Sequence, residues 1–157
     1  MTEILAAVIG ALVGAILTFL YTKKEYDRQM KIHTTLSLYE EFQSTDMMGH
    51  RLIADAILKE NRDKTKLSFS QLHQSTVEFD KWHATSRVVH YFEKASILYR
   101  EKYLDRKLAN KLLGRYFQYY YIEYLQELAK LSEDNDPYKS YGWYHPIRDV
   151  CSIFKPE

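Results

Sequence analysis

Residues 4–21 read ILAAVIGALVGAILTFLY, an apolar run with no charge and, before its terminal tyrosine, a single hydroxyl, that of Thr18. As a helix this run rises roughly 27 Å, close to the ~30 Å hydrocarbon core of a bilayer. In lipid the backbone must satisfy its own hydrogen bonds, and a continuous helix does so. The run therefore predicts a transmembrane helix over residues 1–22. The competing reading is a cleaved signal peptide, which wants positive charge before the run and a small-x-small site after it. Only Met1, Thr2 and Glu3 precede the run, and Phe19, Leu20 and Tyr21 end it, so the span fits better. Lys23, Lys24, Arg28 and Lys31 all follow it. By the positive-inside rule the N-terminus is expected outside and the rest of the chain in the cytoplasm.

The span carries two rows of small residues. Ala6, Gly10 and Gly14 form one; Ala7, Ala11 and Ala15 form the other. Small residues let helix backbones approach closely in lipid, and two rows allow contact with more than one neighbour. The expectation is a homo-oligomer with its spans clustered at the axis. The plainer alternative is a passive anchor, since Gly and Ala are common in spans.

Outside the span about 135 of the 157 residues remain, enough for one core. The net charge of +1 gives no bulk basic field of the kind that dominates duplex DNA binding, so an anion site has to be local. One cysteine, Cys151, excludes an intrachain disulfide and fits a reducing compartment. Five glycines and three prolines leave few breakers, which favours long helices.

The periodicity predicts an all-α chain. A juxtamembrane stalk over 23–43 continues the span, with Tyr26, Met30, Leu36, Tyr39 and Phe42 at near-helical spacing. A domain of about four to six helices follows over 44–157. Its first helix runs from about Met47 to Lys59, capped within 43–46, with Met48, Leu52, Ala56 and Ile57 or Ile53 inward. Asn61 to Lys66 is a charged turn. Leu67 to Gln74 is a short helical segment capped by Ser68 or Ser70. Ser75 and Glu78 offer a capping box for a helix reaching about Lys102, with Phe79, Trp82, Val89, Phe92 and Tyr99 inward. Asp105 caps a helix to about Leu131 that is apolar over a wide arc. Asn135-Asp136-Pro137 is a turn, Tyr138, Tyr141, Trp143 and Tyr144 make an aromatic tail, and a last helix begins near Pro146, pinned by Ile147, Val150, Ile153 and Phe154.

Binding chemistry concentrates on one stripe. His83, Arg87, His90 and Lys94 fall at i, i+4, i+7 and i+11, with Lys81 and Tyr91 close by, and His50 and Arg51 on the preceding helix. Repeated around a symmetry axis, the stripe suits a multiply charged anion: Arg and Lys contact phosphates, and neutral His donates to phosphates or base edges. The bland reading is a solvated helix face. The run Tyr116-Phe117-Gln118-Tyr119-Tyr120-Tyr121 points aromatics in several directions, for base stacking or for core and subunit packing. Catalysis gains little support. Arg28 and His33 match the spacing of a helical RNase motif but lie in the stalk, and His83 and His90 have no carboxylate or thiol at zinc spacing. No catalytic residue, metal or cofactor is expected.

The architecture, with Val88-Val-His-Tyr-Phe-Glu-Lys94 and then Lys102-Tyr-Leu-Asp105, resembles a broad bacterial family of single-span proteins. More narrowly, the size, span, Tyr-rich helices and His/Arg stripe are similar to the small membrane effectors of type III CRISPR antiphage defence. That resemblance implies a bacterial inner-membrane homotetramer that binds cyclic tetra-adenylate and then perturbs the membrane. It supplies no site residues. The alternative is a membrane-anchored scaffold that recruits a cytosolic protein through the aromatic tail.

Overall fold

The computed structural model describes the backbone of residues 2–76, 78–135 and 144–151, and the side chains of residues 9–76, 78–131 and 145–151. Every regular element over these residues is helical. Helix α1 spans Thr2–Gln43 without interruption, through both the expected span and the expected stalk. Its length is roughly 60 Å. From Ile9 to Tyr21 its apolar side chains are exposed all the way round. Among the described residues no helix is long and apolar enough to cross a membrane. The expected span begins in residues 4–8, whose side chains lie outside the described set, and Lys23 and Lys24 close the apolar stretch at its other end.

The last turns of α1 enter the domain. Thr35, Leu38 and Phe42, at i, i+3 and i+7, are buried. The Thr35 hydroxyl donates to the Lys31 carbonyl at 2.7 Å and accepts from the Asp105 amide at 3.0 Å. Tyr91 donates to the Leu38 carbonyl at 2.9 Å. The bonds from Asp105 and Tyr91 fix the base of α1 to the domain.

Helix α2 (Thr45–Glu60) starts at the Ser44 cap, whose hydroxyl accepts from the Met47 amide at 3.2 Å. Its inward face is Met47, Ala54 and Leu58. Met48, Leu52, Ile53 and Ala56, expected inward, are exposed, and only Ile57 is partly buried. Helix α2 packs mainly on the helix over Phe79–Arg100, and the Arg51 guanidinium lies 4.0 Å over the fully buried Phe42 ring of α1. With this packing Met47, not Met48, is buried. The charged turn at Asn61 to Lys66 continues as a π-helical turn, Asn61–Thr65, ending at Lys66 with φ 48°. The buried Asn61 amide closes the loop by donating to the Leu67 carbonyl and accepting from the Leu67 amide, both at 2.9 Å.

Helix α3 (Phe69–Ser75) opens with a capping box of Ser68 and Gln71. The box expected at Ser75 and Glu78 does not form. Ser75 ends α3, its hydroxyl donating to the Leu72 carbonyl at 3.1 Å, and Glu78 instead takes Lys81 at 2.7 Å. Helix α4 (Phe79–Arg100) is the central helix, with Ala84, Thr85, Val88, Val89, Tyr91, Phe92, Ala95, Ser96 and Tyr99 buried. Phe79, expected inward, is 75% exposed. It lies one turn before the buried arc begins, while Trp82 is held half-buried by Phe69 and His73 of α3.

Asp105 caps α5 (Arg106–Tyr120), accepting from the Leu108 amide at 2.8 Å. A second π turn, Tyr121–Leu125, joins it to α6 (Gln126–Asn135) where one continuous helix was expected. Arg62 of the first π turn bridges to Glu123 of the second. Helix α7 (Tyr144–Cys151) buries Pro146, Ile147 and Val150. The turn at 136–137, Tyr138, Tyr141, Trp143, the Tyr144 side chain, Ile153 and Phe154 lie outside the described residues.

Candidate ligand-binding face and groove

Helix α4 presents Lys81, His83, Arg87, His90 and Lys94 to solvent. Each meets a neighbour. Asp46, in the first turn of α2, lies 3.5 Å from His50 Nε2 and 3.9 Å from Arg87 Nη2. The His50 and His83 rings approach edge to face at 5.4 Å, and Phe79 stacks on His83 at 5.9 Å. The fold thus draws His50, His83 and Arg87 together beside Asp46. Further along, His90 Nδ1 and Glu93 Oε2 lie 3.0 Å apart, and Lys94 Nζ donates to Glu41 Oε2 of α1 at 2.8 Å. The cationic stripe foreseen from spacing is therefore lined with carboxylates. Exposed pairs of this kind are worth ~0–1 kcal/mol each, so a multivalent anion can displace them.

Two expected site residues leave the stripe. Tyr91 is 3% exposed, and its hydroxyl is committed to the Leu38 carbonyl. Burial, with Glu41 nearby, raises its pKa well above the usual phenol range. It is a core residue and touches no ligand from there. Arg51 follows His50 in sequence, but one residue on a helix is about 100° of rotation. It faces a different side of α2, where it lines a groove with residues of α5.

There a groove of about 430 Å³ opens between Met48, Arg51, Leu52 and Asp55 of α2 and Arg115, Tyr116, Tyr119 and Tyr120 of α5. The tyrosine run divides along it. Phe117 and Tyr120 are buried, Tyr116 is half-buried with its hydroxyl accepting from Gln43 Nε2 at 3.3 Å, and Tyr119 stands 47% exposed. The Tyr120 hydroxyl donates to the Asp55 carboxylate. Burial raises the Asp55 pKa, partly offset by Tyr120 and Arg51. Burial and Asp55 together raise that of Tyr120. Asp55 and Arg115 were missed as site residues. The available signal was two pairs at i, i+4, Arg51 with Asp55 and Arg115 with Tyr119, on helices whose neighbouring positions are apolar.

Among the described residues no group of three or more His, Cys, Asp or Glu side chains is placed to hold a metal ion. Arg28 pairs with Glu25 at 3.2 Å in α1, and His33 is exposed on the same helix. Burial pushes the Cys151 thiol up to about 12, and its Sγ lies 3.8 Å from the Phe117 carbonyl, so no thiolate is available near neutral pH. Gly10 and Gly14 have nothing within 4 Å of where a Cβ would stand. Ala11 and Ala15 are exposed beside them, and the Ala6 and Ala7 side chains lie outside the described residues. Comparison with known protein families, curated proteins and solved structures finds no match.

Proposed function

We propose that this chain is a membrane-anchored antiphage effector that binds a cyclic oligoadenylate, cyclic tetra-adenylate by preference, and passes the binding event to clustered membrane helices. One observation carries the reading: the cations of the stripe are wired to the base of the long helix. Lys94 bonds Glu41 near the end of α1, and Arg87 pairs with Asp46 just beyond it. Phosphates arriving at Lys94 and Arg87 compete with these carboxylates. Once released, Glu41 no longer holds α1, and Asp46 no longer holds the start of α2, to α4 on that face, and the base of the long helix takes a different set against the domain. A ligand shifts such an equilibrium only by its differential affinity for the two arrangements, and competition with an internal anion supplies that difference.

The exposed apolar half of α1 fits the same reading. A helix apolar on all sides needs an apolar environment, which the bilayer provides for Ile9 to Tyr21 together with the preceding residues. Four chains would offer four stripes to four phosphates, and the Gly10 and Gly14 rows would pack the helices at the axis. Rearrangement there opens a pore or disrupts the membrane.

The test is calorimetric titration of the full chain in detergent micelles with cyclic tri-, tetra- and hexa-adenylate. Saturable binding strongest for the four-membered ring, weakened at least tenfold in Arg87→Ala or His90→Ala, supports the reading. The absence of saturable binding to any of the three defeats it.

A further inference from the structure

We propose that the groove between α2 and α5 is a binding site for a planar aromatic phosphate of the nucleoside-monophosphate class, separate from the α4 stripe. Among the described residues Arg51 and Arg115 make no ion pair, whereas Arg87 and Lys94 are committed to Asp46 and Glu41. Two guanidinium groups without an ion pair therefore line one concavity, with the Asp55 carboxyl close enough to Arg51 to feel its charge. Guanidinium binds phosphate oxygens in a bidentate fork, and two forks suit a doubly charged phosphate better than a carboxylate.

The Arg51 guanidinium is already held 4.0 Å over the Phe42 ring, so little side-chain freedom is lost when an anion arrives. Arg115 is exposed and stands one turn before Tyr119 on the same face of α5, so it can fold onto a ligand that rests on that ring.

Tyr119 is 47% exposed; its hydroxyl lies 3.2 Å from that of Tyr124, and its ring meets those of Tyr120 and Tyr124 at near right angles with centroids 5.5 and 5.9 Å away. Base–aromatic stacking is tolerant of base identity because every base has a π-face. Behind the groove wall Asp55 pairs with Tyr120, and Asp55 Oδ1 and Arg51 Nε are buried with no protein partner among the described residues. The groove volume of about 430 Å³ lies within the range of roughly 300–1,000 Å³ typical of small-molecule sites.

This inference does not depend on the stripe or on the membrane. Its test is calorimetry of the full chain in detergent micelles with AMP, GMP, CMP and UMP as probes, alongside a thermal melt of each variant. Saturable binding of at least one monophosphate is expected, weakened tenfold or more by Arg115→Glu and by Tyr119→Ala, and retained by Tyr119→Phe, which keeps the ring. No saturable binding of any of the four would overturn the proposal. So would affinity within twofold of wild type in a double Arg115→Glu, Tyr119→Ala variant that melts like the wild type.

Discussion

Lys94 of α4 donates to Glu41 of α1 across 2.8 Å, joining the exposed cationic stripe of the domain to the long N-terminal helix. The buried bond from Tyr91 to the Leu38 carbonyl lies one turn earlier on the same helix. One contact is buried and constant; the other is exposed and open to competition. This contrast makes the α1 base the point where a ligand on the stripe can act on the rest of the molecule.

If the carboxylates compete with the ligand, removing them strengthens binding. Glu41→Gln and Asp46→Asn are each expected to raise affinity for cyclic tetra-adenylate about two- to fivefold, the equivalent of an exposed pair of ~0.4–1 kcal/mol. Calorimetry of the two variants checks this. Weaker binding in both would place the carboxylates on the ligand's side.

The Asp55 carboxyl gives a pH signature. Its pKa is raised in the folded state above the ordinary 3.8, chiefly by burial. The folded protein then holds a proton that the unfolded chain has released, so this group's contribution falls as pH rises from about that value through the folded pKa. Asp55→Asn, which keeps an acceptor for Tyr120, is expected to be more stable than wild type at pH 7, with the advantage disappearing below pH ~4. Urea unfolding across that range measures it; lower stability of the variant at pH 7 would contradict the assignment.

Two phenylalanines on α4 separate packing from pattern. Phe92 is fully buried, with ring contacts at 4.8 Å to Phe117 and 4.7 Å to Tyr120. Phe92→Ala is expected to cost about 3–5 kcal/mol. Phe79 is 75% exposed. Phe79→Ala is expected to change stability by no more than ~0.5 kcal/mol. Comparable losses in both would mean that Phe79 is covered.

The end of α4 stores a small strain. Lys102 sits at φ 64°, with the Tyr103 amide bonded to the Leu98 carbonyl at 2.9 Å and the Lys102 amide to Tyr99 at 3.2 Å. This is a Schellman ending with lysine in the place glycine prefers. Lys102→Gly is expected to stabilise the domain by about 1 kcal/mol, read as an increased urea midpoint.

The helical class and several boundaries were legible because local signals were strong. Asp105 caps α5 as its position before a periodic run suggests, and Ser68 caps α3. The phase of α2 was not legible. A count of apolar residues favours Met48 and Leu52, and only the tertiary packing of α2 on α4 turns them out. The break at Tyr121–Leu125 was hidden because a π turn leaves no Gly or Pro mark. Likewise the stripe could be laid out from spacing alone, but its carboxylate partners Glu41 and Asp46 come from other helices. The groove needed Arg51 and Arg115, 64 positions apart in the chain, to face one another.

The central claim is that nucleotide captured on α4 is felt at the membrane end of α1. Dye release from liposomes carrying the full chain, with cyclic tetra-adenylate added, tests it most directly. The account predicts saturable release by wild type, its loss in Arg87→Ala, and its loss in a Gly10→Leu, Gly14→Leu variant that still binds the nucleotide. Neither glycine touches another part of its own chain, so the latter effect would arise between helices. Nucleotide binding by a wild-type chain that releases no dye would contradict the claim.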